Sequence, residues 1–424
     1  MKTKLVKDLT NMVSARKLKC HITLLFSVLS VLLSDYNFAG VQAVFVFAPI
    51  AILVGQEFFL RKSVLKKIVA IDIIIILFTL PALINPWFVL NEFILSFVNV
   101  NLLILTAVVG YSAVVELEES ALYLMKVLLW ILIGLTFYQV IVYNLTGGYT
   151  QIQFGVLKPN VDFVSGHVFR SGIFRPFGVF TEAGHLALAI FAMQLCLLIM
   201  RNVNFALFLG SVIAMLLTFS LGGFVGAIIL CICVFRSILK KELDKKFDYL
   251  IKITIIVIIL ALIFAALSGA KLVSSELSVQ AIIDRVTAVF SGNDESASFR
   301  FVDGIIMVKS ALKENFLTGA GLGQNTTMAE SLGLGLSGRL NVLYFEILVY
   351  FGIIGFVALL GIFLVYYKNK KNGFVSFLFF VYLSVTQSGI TFIYLYTLYT
   401  YMLAFETVAS NNRENDNLEV KRYV

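Results

Sequence analysis

The chain has 424 residues, of which 60% are hydrophobic and only 14% are charged, and its mean hydropathy is +0.95. This composition excludes a soluble globular domain and indicates a helical membrane protein with several spans. The formal net charge of +8 does not indicate nucleic-acid binding, because most basic residues lie in segments where they can anchor the chain beside anionic lipid headgroups.

Apolar runs long enough to cross a hydrocarbon core of about 30 Å recur along the whole chain. They predict an all-α polytopic protein with about twelve transmembrane helices, forming a single membrane domain over residues 1–424. The predicted spans are 18–34, 38–60, 68–84, 93–115, 121–145, 174–200, 203–220, 223–239, 249–268, 341–367, 373–389 and 391–408. Two long polar stretches interrupt the series, a first loop at 146–173 and a second at 269–340.

The distribution of lysine and arginine predicts the orientation of these spans. Basic residues gather in the N-terminal lead, at 61–67, at 236–246, at 368–371 and in the C-terminal tail. The connections at 35–38, 85–92 and 220–222 contain neither lysine nor arginine. Since cytoplasmic connections carry the positive charge, we expect both termini in the cytoplasm and both long loops on the external face.

The first loop continues into its span through a segment that contains Arg175, Glu182 and His185. Pro176 and Gly178 predict an irregular start to this helix, after which Glu182 and His185 share one helix face. Ionisable residues in an apolar span indicate a functional site, because lipid burial would be costly without a partner or a water-filled cavity. The alternative is that Glu182 pairs with Arg175 and only fixes the loop.

The second loop is too long to be a simple connection. Ser278–Ser291 and Ser298–Lys313 have the spacing of amphipathic helices, which we expect to lie along the membrane surface with Arg300 and Asp303 on the wet side. The glycine-rich stretch 317–323 follows, and it favours a tight turn over a phosphate-binding loop because no strand precedes it.

The order of the motifs resembles that of the O-antigen polymerase and ligase superfamily. An Arg-x-x-Gly-x-Phe stretch at 175–180 leads into a span, and Ser-Phe-Arg follows at 298–300. The stretch 314–323 and the run from Asn341 to Gly355 complete the series. The ligase branch has a His-Asn pair where this chain has Asn341 and Val342, which favours a Wzy-type polymerase.

The resemblance implies a GT-C-like fold and a glycosyltransferase of lipopolysaccharide biosynthesis in the bacterial inner membrane. Its substrates would be polyprenyl-diphosphate-linked oligosaccharides, and its partners membrane lipid and a chain-length regulator protein, with no nucleic acid. The growing glycan would move from its polyprenyl diphosphate to a new lipid-linked repeat unit on the external face.

Site residues follow from this chemistry. Guanidinium groups suit a diphosphate because they are always charged and bind phosphate oxygens bidentately, and the external candidates are Arg170, Arg175, Arg300 and Arg339. Glu182 is the first candidate for the base, followed by His185, with Asp303 as a rival, and the acceptor sugar would meet Asn341, Tyr344 and Glu346. The outer loops contain no Asp-x-Asp and no His/Cys cluster, so neither a metal nor another cofactor is expected.

Two other classes stay open from sequence. A lipid-linked oligosaccharide flippase or transporter would also have many spans, but the charge here is concentrated in outer loops rather than at the midplane. A purely structural membrane protein would leave the arginines of those loops unexplained.

Overall fold

A computed structural model describes residues 2–85, 88–149, 152, 155–159, 169–170, 173–239, 302–334, 340, 342–369, 373–386 and 393–423. This part of the chain is mostly helical. Its helices are α1 (Lys2–Leu32), α2 (Val44–Val54), α3 (Gln56–Phe59), α4 (Lys62–Thr79), α5 (Leu90–Glu116), α6 (Glu118–Thr146), α7 (Ala183–Ile199), α8 (Phe205–Leu217), α9 (Leu221–Leu239), α10 (Gly304–Glu314), α11 (Asn325–Ser331), α12 (Leu343–Asn369), α13 (Gly373–Thr386) and α14 (Ile393–Tyr423). Its strands are β1 (Tyr36–Phe38), β2 (Val41–Gln42), β3 (Leu157–Pro159), β4 (Phe169–Arg170) and β5 (Ile173–Phe174).

The helices follow the predicted spans, although the number of spans stays a prediction. Within the described residues, four helices are long and apolar enough to cross a membrane, namely Lys62–Ile84, Leu90–Glu116, Glu118–Thr146 and Leu343–Gly361. Shorter apolar helices fall on other predicted spans, including those at 174–200 and 203–220. The predicted span 249–268 and the amphipathic stretch 278–291 lie outside the described residues. These helices make the chain a membrane protein by length and composition.

Helix α7 lies at the centre of the main apolar core. All 17 of its residues are buried, as expected of a helix that is hydrophobic all round. It packs against α6, α8, α9, α13 and α14, and α14 in turn packs against α1 and α5. Because α7 is enclosed by other helices, the residues at its first turn are held inside the protein rather than against lipid.

The connections between helices meet at two opposite ends of the bundle. At the first, which we call the Glu116 end, Arg16 forms an ion pair with Glu116 and Asn412 Nδ2 donates to Glu118 Oε1 at 2.7 Å. These contacts place the two terminal regions beside the same turn. At the second, the Asp35 end, β1 pairs antiparallel with both β2 and β3 in the order β2-β1-β3. The 35–38 connection therefore pairs with residues 157–159 of the first long loop.

A second, smaller core surrounds the first half of α12. Buried Met307 and Ala311 of α10 pack there together with Leu322 and Tyr350. Of the predicted amphipathic helix at 298–313, residues 304–313 lie in α10, and Ile305 and Ile306 on its apolar face are exposed.

The predicted span at 341–367 is interrupted at Gly352, where the backbone has φ 60° and ψ −158°. The glycine-rich turn fills this break: Ala320 N donates to Val349 O, and Ile353 N donates to Phe316 O at 3.1 Å. A Cβ on Gly352 would lie 2.6 Å from Leu317 C and O, so the glycine is required by the turn rather than by packing against another helix. The 317–323 stretch is accordingly a tight turn, as the sequence predicts.

Candidate active site

The irregular segment 175–182, here called the lead-in segment, carries the external arginine motif into α7. Buried Gln139 of α6 holds it in place: Oε1 accepts from Phe177 N at 3.0 Å and from Gly178 N at 2.8 Å, and Nε2 donates to Gly178 O at 3.2 Å. One side chain thereby satisfies three buried backbone groups that a helix would otherwise satisfy itself. This contact explains how Pro176 and Gly178 can interrupt the helix inside the bundle.

Arg175 lies at the start of the lead-in segment and is 7% exposed. Its Nε donates to Thr218 O at 3.2 Å, in the connection between α8 and α9. Next to it, the Phe174 ring stacks on Tyr143 with centroids 4.4 Å apart. The guanidinium is therefore held within the protein at the Asp35 end, where an anionic group could be bound with little competition from water.

The other end of the lead-in segment is fixed by Asp35, in the turn between α1 and β1. Its Oδ2 accepts from Thr181 N at 3.0 Å, from Thr181 Oγ1 at 2.8 Å and from His185 Nδ1 at 3.1 Å. Burial alone would raise the pKa of the Asp35 carboxyl, but the His185 charge and these hydrogen bonds outweigh it and lower the pKa. Asp35 is therefore an ionised acceptor at neutral pH.

The His185 ring lies between two carboxylates. Its Nδ1 faces Asp35, and its Nε2 is 3.7 Å from Glu182 Oε2. The Tyr394 ring covers the imidazole with centroids 4.7 Å apart, and Tyr394 OH is 2.8 Å from Ser34 Oγ. We call Asp35, Thr181, Glu182, His185 and Tyr394 the Asp35 cluster; it combines a positioned imidazole with a carboxylate that is 25% exposed.

The predicted acceptor-binding residues form a separate group on α12. Tyr344 OH accepts from Ser384 Oγ at 2.8 Å, and Glu346, which is 2% exposed, accepts from Tyr350 OH at 3.4 Å. Tyr396 of α14, two residues after Tyr394, packs against both apolar cores.

The remaining predicted residues are placed only in part. Asp303 is partly exposed and immediately precedes α10, without capping it through its side chain. Arg170 lies on β4, where its backbone pairs with Ile173. The predictions for Arg300, Arg339 and Asn341 fall outside the described residues.

Four residues of this region are not predicted from the sequence as part of the site: Asp35, Gln139, Thr181 and Tyr394. Asp35 stands alone in a short connection, and Thr181 and Tyr394 have no distinguishing pattern. Gln139 gives a usable signal, since an amide in an apolar span must find hydrogen-bonding partners. Within the described residues, no group of three His, Cys, Asp or Glu side chains is arranged to hold a metal ion.

Comparison with known proteins supports the resemblance seen in the motifs. Residues 205–360 match the family model described as O-antigen ligase, a stretch that runs from the start of α8 to beyond the break in α12. No curated protein matches the chain. The match indicates a function of the O-antigen ligase or polymerase type and does not distinguish between the two. The match at residues 205–360 therefore supports the O-antigen polymerase and ligase superfamily, and members of the matched family are glycan-transferring enzymes.

Proposed function

We propose that the chain is a surface-polysaccharide polymerase. It moves the growing glycan from polyprenyl diphosphate onto a new lipid-linked repeat unit at the external face of a bacterial inner membrane. The observation that carries this proposal is the lead-in segment, which holds a buried arginine at one end and the Glu182–His185 pair at the other.

The chemistry required is modest because polyprenyl diphosphate is already a good leaving group. Arg175 neutralises the charge that develops on the departing diphosphate. The other arginines of the two loops add positive charge around the diphosphate, namely Arg170, Arg300 and Arg339. The acceptor hydroxyl gives its proton to the Glu182–His185 pair as its oxygen attacks the anomeric carbon. Tyr344, Glu346 and Asn341 contact the acceptor sugar. Fixed guanidinium groups make a metal ion redundant at the leaving group.

The polymerase is favoured over an O-antigen ligase by Asn341 and Val342, which stand where the ligase branch has His-Asn. A flippase is the alternative of another class. A gene deletion separates the three: a missing polymerase leaves single repeat units on the surface lipid. A missing ligase leaves polymer on the carrier lipid, and a missing flippase leaves no external units. Either of the last two outcomes would exclude the polymerase.

The proposal places both termini in the cytoplasm and 146–173 and 269–340 outside. It is supported by the contacts of Arg16 and Asn412 with one turn of the bundle and by the positive-inside rule. In intact spheroplasts, a single cysteine at Ser291 or Thr150 should react with an impermeant reagent, and one at Asn412 should stay protected. The reverse pattern would contradict this orientation. A chain-length regulator is the protein partner that we expect at the same membrane.

A further inference from the structure

We propose that the exposed face of α10 binds the polyprenyl diphosphate of the acceptor substrate through Lys309 and Lys313, here called the lysine site. This inference rests on the proposed function, in which two lipid-linked diphosphates take part in one transfer. The donor's diphosphate leaves at the Asp35 end, beside Arg175. The acceptor keeps its diphosphate throughout the reaction, so this second anion needs cations of its own.

The two lysines lie on one face of α10. Both are exposed, and their spacing of four residues places them one turn, or roughly 6 Å, apart along the helix. Like charges at this spacing repel each other and weaken a helix. A diphosphate between them offsets this repulsion, because ammonium groups bind phosphate oxygens strongly. The nearest acidic residues of this segment, Asp303 and Glu314, lie at the two ends of α10 rather than between the lysines.

The start of α10 adjoins the residues that we propose to contact the acceptor sugar. A Cβ on Gly304 would lie 2.6 Å from the Phe345 ring, so the first residue of α10 packs directly on α12. Phe345 stands between Tyr344 and Glu346 in the chain. Lys309 follows Gly304 by five residues, which is about 7.5 Å along the helix. A sugar bonded to a diphosphate at the lysine site therefore lies beside this part of α12.

The other end of α10 leads to an exposed apolar surface. Phe316 O accepts from Ile353 N at 3.1 Å and Leu317 O accepts from Ile354 N at 3.3 Å, so the chain after α10 is bonded to α12 at its break. Phe316 and Leu317 are both more than half exposed. Exposed apolar residues of α12 continue this surface at helical spacing, namely Ile354, Val357, Leu360 and Leu364. A polyprenyl chain can follow this surface into the hydrocarbon core.

The three parts of this face follow the order of the parts of a lipid-linked glycan. The sugar lies at the start of α10, the diphosphate at the lysine site, and the polyprenyl chain along Phe316, Leu317 and the second half of α12. An anionic phospholipid carries no glycan and only one bridging phosphate, so it would occupy only part of the face. The order therefore favours the acceptor substrate over ordinary membrane lipid.

The first test counts bound molecules and does not need the reaction. Bare polyprenyl diphosphate is added to purified protein in nanodiscs of neutral phosphatidylcholine, and native mass spectrometry counts the molecules held by each chain. The parent should bind two, and Lys309→Gln/Lys313→Gln should bind one. Lys158→Gln is the matched control, because Lys158 is an exposed lysine of the first loop, and it should bind two. One molecule on the parent, or two on the double variant, would overturn the proposal.

Nanodiscs that contain phosphatidylglycerol identify the source of the anion. The lysine site should keep its polyprenyl diphosphate in this lipid. Loss of the second molecule there would indicate a general surface for anionic lipid and would overturn the proposal. The lysines could instead stabilise only the C-terminal end of α10. In that case the double variant would unfold at a lower temperature but still bind two molecules, which would also overturn the proposal.

The second test compares two acceptors with one lipid-linked donor whose own acceptor hydroxyl is blocked. The first acceptor is linked to polyprenyl diphosphate, and the second is the same glycan on an alkyl chain without diphosphate. The parent should prefer the first, and the double variant should lose about tenfold of this preference, the effect expected of one lost charge-assisted hydrogen bond. An unchanged preference would overturn the assignment to the acceptor.

The two readouts separate this inference from the proposed function. If the parent binds two molecules and the double variant one, while neither protein polymerises repeat units, the lysine site stands as a polyprenyl-diphosphate site and the polymerase fails. If the parent polymerises, and the double variant keeps both the second molecule and the acceptor preference, the polymerase stands and the lysine site fails.

Discussion

Replacing Gln139 by leucine should loosen the lead-in segment without disrupting the bundle. Gln139 is fully buried and satisfies Phe177 N, Gly178 N and Gly178 O. Leucine fills a similar volume but leaves these three groups without their partner. At about 1 kcal/mol for each lost hydrogen bond, the segment loses roughly 3 kcal/mol of local stability. That is more than a 100-fold change in an opening equilibrium, since each 1.4 kcal/mol is tenfold.

Hydrogen–deuterium exchange measures this effect directly. The amides of Phe177 and Gly178 should lose roughly two orders of magnitude of protection in Gln139→Leu. The rate of glycan transfer should fall together with this protection, because Arg175 and His185 are positioned by the same segment. Polymer length and abundance in cells give a second readout.

Gln194→Leu is the matched control. Gln194 is also fully buried, but it accepts only from Ser211 Oγ at 3.2 Å, and its Nε2 has no hydrogen-bonding partner among the described residues. Ser211 also donates to Leu207 O at 2.7 Å, so its hydroxyl keeps a partner. This variant should be close to neutral. Unchanged protection at Phe177 and Gly178 in Gln139→Leu, or equal effects of the two substitutions, would refute the reasoning.

Three further predictions address charge, backbone and metal. Arg175→Ala should abolish polymer at normal protein abundance, and Arg175→Lys should restore it only in part because lysine lacks the planar fork. The control, Arg201→Ala at the exposed far end of α7, should be neutral. Loss of the Arg175→Ala protein from the membrane would instead indicate a structural role. Gly352→Ala should lower the unfolding temperature, because Gly352 has a positive φ and the added Cβ would lie 2.6 Å from Leu317 backbone atoms. Gly361→Ala should not, because there is open space around Gly361. Equal unfolding temperatures of the two variants would contradict this prediction. Purified enzyme should polymerise repeat units in excess chelator, and activity restored only by magnesium or manganese would show that the arginines do not suffice.

The sequence predicts the helices better than it predicts the connections between them and the breaks within them. Apolar runs locate α5 and α6 within a few residues because lipid imposes a minimum length on a span. The interruption at Gly352 is not visible in the apolar pattern around it, since both sides of the break are equally hydrophobic. It depends on the glycine-rich turn, which comes from another part of the chain.

The candidate site is predictable only where ionisable residues stand out against lipid-soluble neighbours. Glu182 and His185 do so, and the structure places them 3.7 Å apart. Asp35 does not, because an acidic residue in a short connection is ordinary, and its role depends on a contact across 150 residues. The buried Glu406 in the last predicted span, which accepts from Ser376, is likewise not predicted from the sequence.

The lead-in segment and the 85–92 connection both contain non-helical backbone, and a buried glutamine stabilises each of them. A backbone that leaves the helix at membrane depth must have its polar groups satisfied by protein, since lipid offers no hydrogen bonds. Gln139 supplies them for the lead-in segment. Gln324 does so for the 85–92 connection, accepting from Val89 N at 2.8 Å and donating to Val89 O at 3.1 Å. Each buried amide fixes a non-helical stretch at the Asp35 end, where Arg175 and the Asp35 cluster lie. The two glutamines therefore let the backbone leave the helix at the Asp35 end without leaving its polar groups unsatisfied.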